Sequence, residues 1–341
     1  ATGKLVEANI TTVSAMSVVA PGHRVFETHQ ALRAKRTVLR HRALTLNENR
    51  AAQIPDRAGT SAVLPRFADI RIAVSADFDI GSGFTFAFGY RIDYGVPTAE
   101  RTPEAEGGRF VRAFETIERP LLVPGRSLQA EGDTLRLWLQ HLVSDIHRAR
   151  QKILAGYRVH GAPDKRDATL QFFLWDRLTF DHLCRVFSRH LDRLEEPVQM
   201  GNQDVSPMSW VFPADQILEE PDFVGRASPI TITADAVNSL IAAAIPHHYG
   251  LIDLANAIEP ESRIVQGRPW AFHVNKFYRD PLSDQIPSER GHEIWEEASP
   301  FADRDYQWHQ DMMRQVVKRK LHAISYITEK LSRWLANDLS A

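Results

Sequence analysis

The chain has 341 residues, 43% of them hydrophobic and 25% charged, a mix suited to two compact domains or one elaborated domain. Its 41 basic and 43 acidic residues nearly cancel, which removes any global electrostatic case for nucleic acid and leaves only local basic faces. The single cysteine, Cys184, excludes an internal disulfide framework and fits a reducing cytoplasm, and no apolar run nears the roughly 20 residues that span a bilayer.

The N-terminus begins Ala1-Thr2-Gly3, lacks the order of a signal peptide and reads as a piece of a longer polypeptide. Residues 4–20 are β-branched and alternating, which predicts one or two strands closed by Pro21-Gly22. From Val25 to Gln53 apolar residues recur every three or four positions, a helical period. Arg33, Arg36 and Arg40 lie between them in the most basic local stretch. They form either the solvated face of an amphipathic helix or a phosphate-contacting surface.

Residues 71–93 predict a β-hairpin. Ile72, Val74 and Ala76 alternate with Arg71, Ala73 and Ser75, and Gly81-Ser82-Gly83 supplies a tight reversal before Phe84, Phe86 and Phe88. Asp77 and Asp79, two apart, are expected on one face of the first strand, as a divalent-cation pair or as a polar strand end. Residues 95–108 read as an exposed Pro/Gly/Glu-rich loop, and 110–118 as a third strand. A long helix is expected over 127–155, with Glu131 and Asp133 in its first turn, where acids suit the dipole. The polar loop 156–168 carries Lys165 and Arg166. Residues 169–175 form an apolar strand ended by Asp176, and 178–194 a helix with Cys184 on its apolar side.

Beyond residue 200 the pattern is mainly helical: 213–220, 234–244, 251–258 and a long helix from 304 or 305 to about 339. His247-His248 reads as a polar turn, and His292 and Glu293, near Asp280 and Asp284, as a salt-bridged loop or a second polar site. Trp270, Phe272, Phe277, Tyr278 and Trp295, interleaved with Arg268, Lys276 and Arg279, either pack on the sheet or stack a single strand. The chain contains no HExxH, no Gly-x-Ser-x-Gly and no Walker motif, so zincin, α/β-hydrolase and motor readings have no support.

A hairpin with Asp-x-Asp, a third strand, a helix, a strand ending in Asp and a helix follow one another in the order of an RNase H-like core. That fold hydrolyses phosphodiesters with three or four carboxylates around one or two Mg²⁺ or Mn²⁺ ions. Three stretches resemble the RNase H-like nuclease domain (the DEDD group and its RecB-associated relatives) of bacterial nuclease–helicase proteins: residues 64–90, the helix bearing Glu131, and residues 170–191. Asp77 and Asp79 match that family's Asp-x-Glu pair, and Trp175-Asp176 stands where the family has Tyr-Asn. Two departures are visible. Thr179 stands where the family has Glu, and the last acid has only Asp235 and Asp253 as candidates. Residues 283–295 resemble the approach to a superfamily 1 helicase domain.

The expected architecture is therefore α/β (α+β): N-terminal strands and a basic helix over 1–60, an RNase H-like mixed sheet over 61–200, and a mainly helical part over 201–341. The resemblance implies a cytoplasmic nuclease-type domain acting on DNA beside a helicase domain of the same or a partner polypeptide, in repair or phage defence. Its catalytic residues would be Asp77, Asp79, Asp176 and Glu131, with the first three holding Mg²⁺ or Mn²⁺ and with Arg33, Arg36, Arg40, Lys165 and Arg166 on the nucleic acid. The alternative is a catalytically silent domain of the same fold that binds nucleic acid or joins partner modules.

Overall fold

A computed structural model describes residues 1–54, 64, 68–101, 110–160, 168–194, 197–200, 203–205, 230–246, 248–258, 264–265, 268–269, 272, 274–295 and 303–337. The chain opens on helices α1 (Thr2–Glu7) and α2 (Val13–Ser17), a 3₁₀ turn at Arg24–Glu27 and α3 (Gln30–Glu48). The strands expected over residues 4–20 are thus helices. The Thr12 hydroxyl caps α2 by accepting the Ala15 N–H at 3.0 Å, and Met16 and Val19 pack with Val25, Phe26 and Leu32. Capping and packing outweigh the weak strand preference of β-branched residues. A two-residue strand, β1 (Ala52–Gln53), then leads away from α3.

The sheet follows as predicted in its centre and longer at its edge. Strands β2 (Ile70–Phe78), β3 (Thr85–Arg101) and β4 (Phe110–Leu122) form an antiparallel meander. Residues 95–101, expected as exposed loop, continue β3, with Gly95 paired to Phe114 and Pro97 to Arg112. Pro97 is buried because α4 (Leu128–Val159) presents Gly156 to it. A Cβ on Gly156 would sit 3.0 Å from the proline Cδ. The Ser127 hydroxyl caps α4 by accepting the Ala130 N–H, and the helix runs four residues beyond the predicted end.

Strand β5 (Leu170–Leu174) pairs parallel with β2, and α5 (Arg177–Arg189) and α6 (Leu191–Leu194) follow it. After the small ladder of β6 (Val198–Met200) and β7 (Gln203–Val205), strand β8 (Ile230–Ile232) pairs parallel with β5. The five-stranded sheet therefore has the order β4-β3-β2-β5-β8. Helix α7 (Thr233–Leu240) leads into β9 (Ile241–Ala242), which pairs with β1 and ties the N-terminal helices to the body. Helix α8 (Leu251–Ile258), the ladder β10 (Ile264–Val265) with β11 (Arg268–Pro269), the short α9 (Ser288–Glu293) and the long α10 (Asp303–Asn337) complete the described chain.

Two apolar cores sandwich the sheet. Ile70, Ile72, Val74 and Ala76 face α4 and α5 and pack with Trp138, Leu142, Leu183 and Phe187. Ala73 and Phe173 face the other way, toward Val317, Leu321 and Ile324 of α10 and the apolar side of α8. Alternation along β2 makes this division. Helix α10 can lie this close because Gly89 on β3 has no side chain. A Cβ there would be 2.4 Å from Val317 Cγ1 and 3.1 Å from Leu321 Cδ1. The segment after residue 200 thus supplies both the fifth strand and the helix that covers one sheet face. The helix predicted over 213–220 and residue His247 lie outside the described residues. Cys184 is half-buried rather than fully packed away.

Candidate functional site

The C-terminal end of β2 is where the sequence placed its carboxylates. Asp77 is fully buried on the α10 face, beside a β-bulge between Asp77 and Phe78. Its Oδ1 accepts the Ile286 N–H at 3.0 Å and sits 2.7 Å from Lys320 Nζ, which is itself buried on α10. Its Oδ2 is buried with no hydrogen-bond partner. Opposite charges this close in a dry setting must compensate each other, because either alone would carry the full desolvation penalty.

Asp79 does not share the strand face expected for it. β2 ends at Phe78, and Asp79 lies in the turn, where it accepts N–H bonds from Gly81 at 3.2 Å and Ser82 at 3.0 Å. The Ser82 hydroxyl donates to it at 2.5 Å, the Ser288 hydroxyl at 2.6 Å, and His292 Nε2 lies 3.3 Å away. An Asp at a reversal bonds its own backbone in this way, and Gly83 at φ +72° supplies the left-handed residue that closes the turn. Burial would raise the Asp79 pKa, but the Ser288, Ser82 and Gly81 donors together outweigh it and hold the carboxyl below its ordinary range. Residues 285–292 thus fasten both aspartates: Gln285 accepts the Phe78 N–H at 3.3 Å, Ile286 binds Asp77, and Ser288 and His292 hold Asp79.

Asp176 is the N-cap of α5, accepting the Thr179 N–H at 2.8 Å. Glu131 lies across the sheet from Asp77. Its Oε1 accepts the Thr85 N–H at 2.8 Å and the Thr85 hydroxyl at 2.7 Å, and its Oε2 is 2.9 Å from His190 Nε2 and 3.3 Å from Arg189 Nη1. Gly132 makes room for His190, since a Cβ there would meet its Nδ1 at 2.9 Å. The Thr85 hydroxyl also lies 2.9 Å from His182 Nε2, and the His182 ring stacks on Phe78 at 3.7 Å. Burial, with Arg189 and Arg185 adding repulsion, lowers the His182 pKa to about 3, so this ring is neutral at pH 7.

The four candidate carboxylates are therefore each committed elsewhere: to a lysine, to a turn, to a helix cap and to a threonine–histidine cluster on the opposite face. Among the described residues, no group of three or more His, Cys, Asp or Glu side chains is arranged to hold a metal ion. One oxygen, Asp77 Oδ2, is unclaimed, yet a divalent cation there would meet the Lys320 ammonium bound to the same carboxylate. The residues do not fit a two-metal centre. The further acids also have partners: Asp253 pairs with Arg279 at 2.8 Å, and Asp235 with Arg177 at 3.0 Å. Asp133 pairs with Arg193, and Asp284 with Arg279 at 2.6 Å. Glu293 pairs with Arg290 and lies 3.3 Å from His309, a salt-bridged arrangement.

The basic residues are divided in the same way. Arg33 pairs with Glu27 at 2.8 Å, and Arg40 Nε donates to the Val19 carbonyl at 2.5 Å, while Lys35 and Arg36 are exposed on α3. Lys165, Arg166 and Trp270 lie outside the described residues. Phe272 and Tyr278 are buried, whereas Phe277 is exposed beneath Lys276. Lys320 was the residue sequence reasoning missed. It reads as one of three flanking cations on a helix, and only its place among Val316, Val317, Leu321 and Ile324 hinted at burial.

No helix among the described residues is long and apolar enough to cross a membrane. No family model, curated protein or solved structure matches the chain.

Proposed function

We propose that this chain is a catalytically silent RNase H-like domain that binds nucleic acid, in the service of a helicase module of the same or a partner polypeptide. The single observation that carries the silent reading is the buried Asp77–Lys320 pair at 2.7 Å. A hydrolytic centre at this strand end would need Asp77 free to bind a cation, and here an ammonium holds that place. The fold assignment rests on strand order and direction: three antiparallel strands, then two parallel additions on the β2 side, with helices on both faces. Binding is supported by the exposed Lys35 and Arg36 of α3 and by the arginine-lined cleft described below.

The test is retention of labelled single- and double-stranded DNA and RNA on the protein, with Mn²⁺ and with chelator. The expected result is retention that the chelator leaves unchanged and strands of unaltered length. Shortened products that disappear in Asp77→Asn would overturn the silent reading.

A further inference from the structure

At the opposite end of β2 lies a cleft of about 530 Å³ between the sheet and α10, within the size range of small-ligand sites. Four arginines line it. Three of them are paired: Arg91 with Asp93 at 2.9 Å, Arg112 with Asp69 at 3.2 Å, and Arg333 with Glu329. The fourth, Arg71, is not. Its Nη2 donates to the Thr328 hydroxyl at 2.7 Å and its guanidinium lies 5.5 Å from the centre of the Phe173 ring. Among the described residues no carboxylate lies within ion-pair distance of it. Burial lowers its pKa, opposed by the more distant Glu329 and Asp93.

Arg71 is half-buried, and its nitrogens without a protein partner are not sealed in the core, so most of its donors are open to an acceptor that enters the cleft. The three paired arginines cancel the three acids of the wall, so Arg71 leaves one net positive charge facing the cavity. A phosphodiester brings one negative charge, and its two free oxygens match the guanidinium fork. The same cleft is lined by Tyr94, Tyr326 and Phe114, and Phe114 is 82% exposed on β4. An aromatic face left in water beside an anion site is what a nucleobase stacks on.

We propose that this cleft binds one nucleotide unit, free or within a single strand, with Arg71 on the phosphate and Phe114 on the base. The proposal deepens the nucleic-acid reading above, and its test separates the two. A fluorescent oligothymidylate and free AMP are titrated onto the whole chain, its Arg71→Met and Phe114→Ala variants, and Lys4→Gln, an exposed cation on α1 outside the cleft, as a control. Thermal melting confirms that each variant folds. Phe114, at the surface, can be replaced without touching the core.

The expected result is at least a tenfold loss of affinity in Arg71→Met, as for removal of a charge-assisted pair, and a loss of about fivefold in Phe114→Ala. Lys4→Gln should change affinity by less than about twofold. Oligonucleotide binding that ignores both cleft variants would overturn the cleft while leaving the nucleic-acid reading standing. AMP binding lost in Arg71→Met without any oligonucleotide binding would support the cleft and sink that reading. Binding of neither probe overturns both.

Discussion

The two ends of strand β2 treat buried charge in opposite ways. At its C-terminal end Asp77 is matched by Lys320 and Asp79 by four hydrogen-bond donors, and residues 285–292 close over both. At its N-terminal end Arg71 faces a cavity with a hydroxyl and an aromatic ring for company. Both charges point to the α10 face, because alternation along the strand puts Arg71, Ala73, Ser75 and Asp77 on one side. The sealed end resembles core, and the open end resembles a site. The lesson is that an acidic pair in a sequence marks a strand end, whereas the free donor has to be found by asking which charge lacks a partner.

Removing Lys320 should break this contrast most severely. Lys320→Met leaves Asp77 buried and uncompensated, for an expected loss of about 3–5 kcal/mol in urea denaturation. Lys320→Met with Asp77→Leu should recover most of it, since an apolar pair of similar volume is near neutral. A loss below about 1 kcal/mol in the single variant would show that the pair is dispensable. Next comes acid. His182 is neutral in the fold, with its pKa lowered to about 3, and it gains a proton on unfolding below pH 6.5. The unfolded state therefore binds more protons between about pH 3 and 6.5, and stability falls with falling pH there by up to about 1.4 kcal/mol per unit. Asp79 adds its own loss only below the ordinary carboxylate range, because its pKa is depressed. His182→Gln should flatten the pH 6.5–4 portion of the stability profile, and an unchanged slope would count against the buried neutral ring.

Gly89→Ala probes the approach of α10 to both ends at once. The added methyl would lie 2.4 Å from Val317 Cγ1, and overpacking of this kind costs about 1–3 kcal/mol. The smallest effect belongs to Arg71. Arg71→Met removes one hydrogen bond and one ring contact but also an unpaired cation, so stability should move by less than about 1 kcal/mol while ligand affinity collapses. A loss as large as that of Lys320→Met would make Arg71 a structural residue and erase the contrast.

Much of this architecture was legible. The hairpin showed a two-residue period, β5 a short apolar run, α4 and α10 a helical period, and the reversal needed Gly83. Other parts were hidden by residues whose local preference was overruled. Gly95 and Pro97 suggested a loop, yet β3 continues through them because β4 pairs there and Gly156 accepts the proline ring. Asp176 carried a signal that points elsewhere, since an Asp just before a helix is an N-cap. The spacing of Asp77 and Asp79 was right for a shared face only if the strand continued, and it stops at Phe78. No local pattern pairs Asp77 with Lys320 or leaves Arg71 without an acid. Those facts depend on how α10 lies across the sheet.

The Asp77–Lys320 contact joins positions 243 residues apart. The β2–β3–β4 meander needs only near neighbours along the chain and can close early, whereas α10 must be present before Asp77 has its counter-ion. A formed meander with an undocked α10 would therefore carry an apolar sheet face with a charged carboxylate at one end of its middle strand. That carboxylate keeps the open face hydrated and unfavourable to bury against the wrong partner. The ion pair thus ties the burial of this sheet face to one helix, since another segment laid there without a cation would leave the carboxylate unpaired.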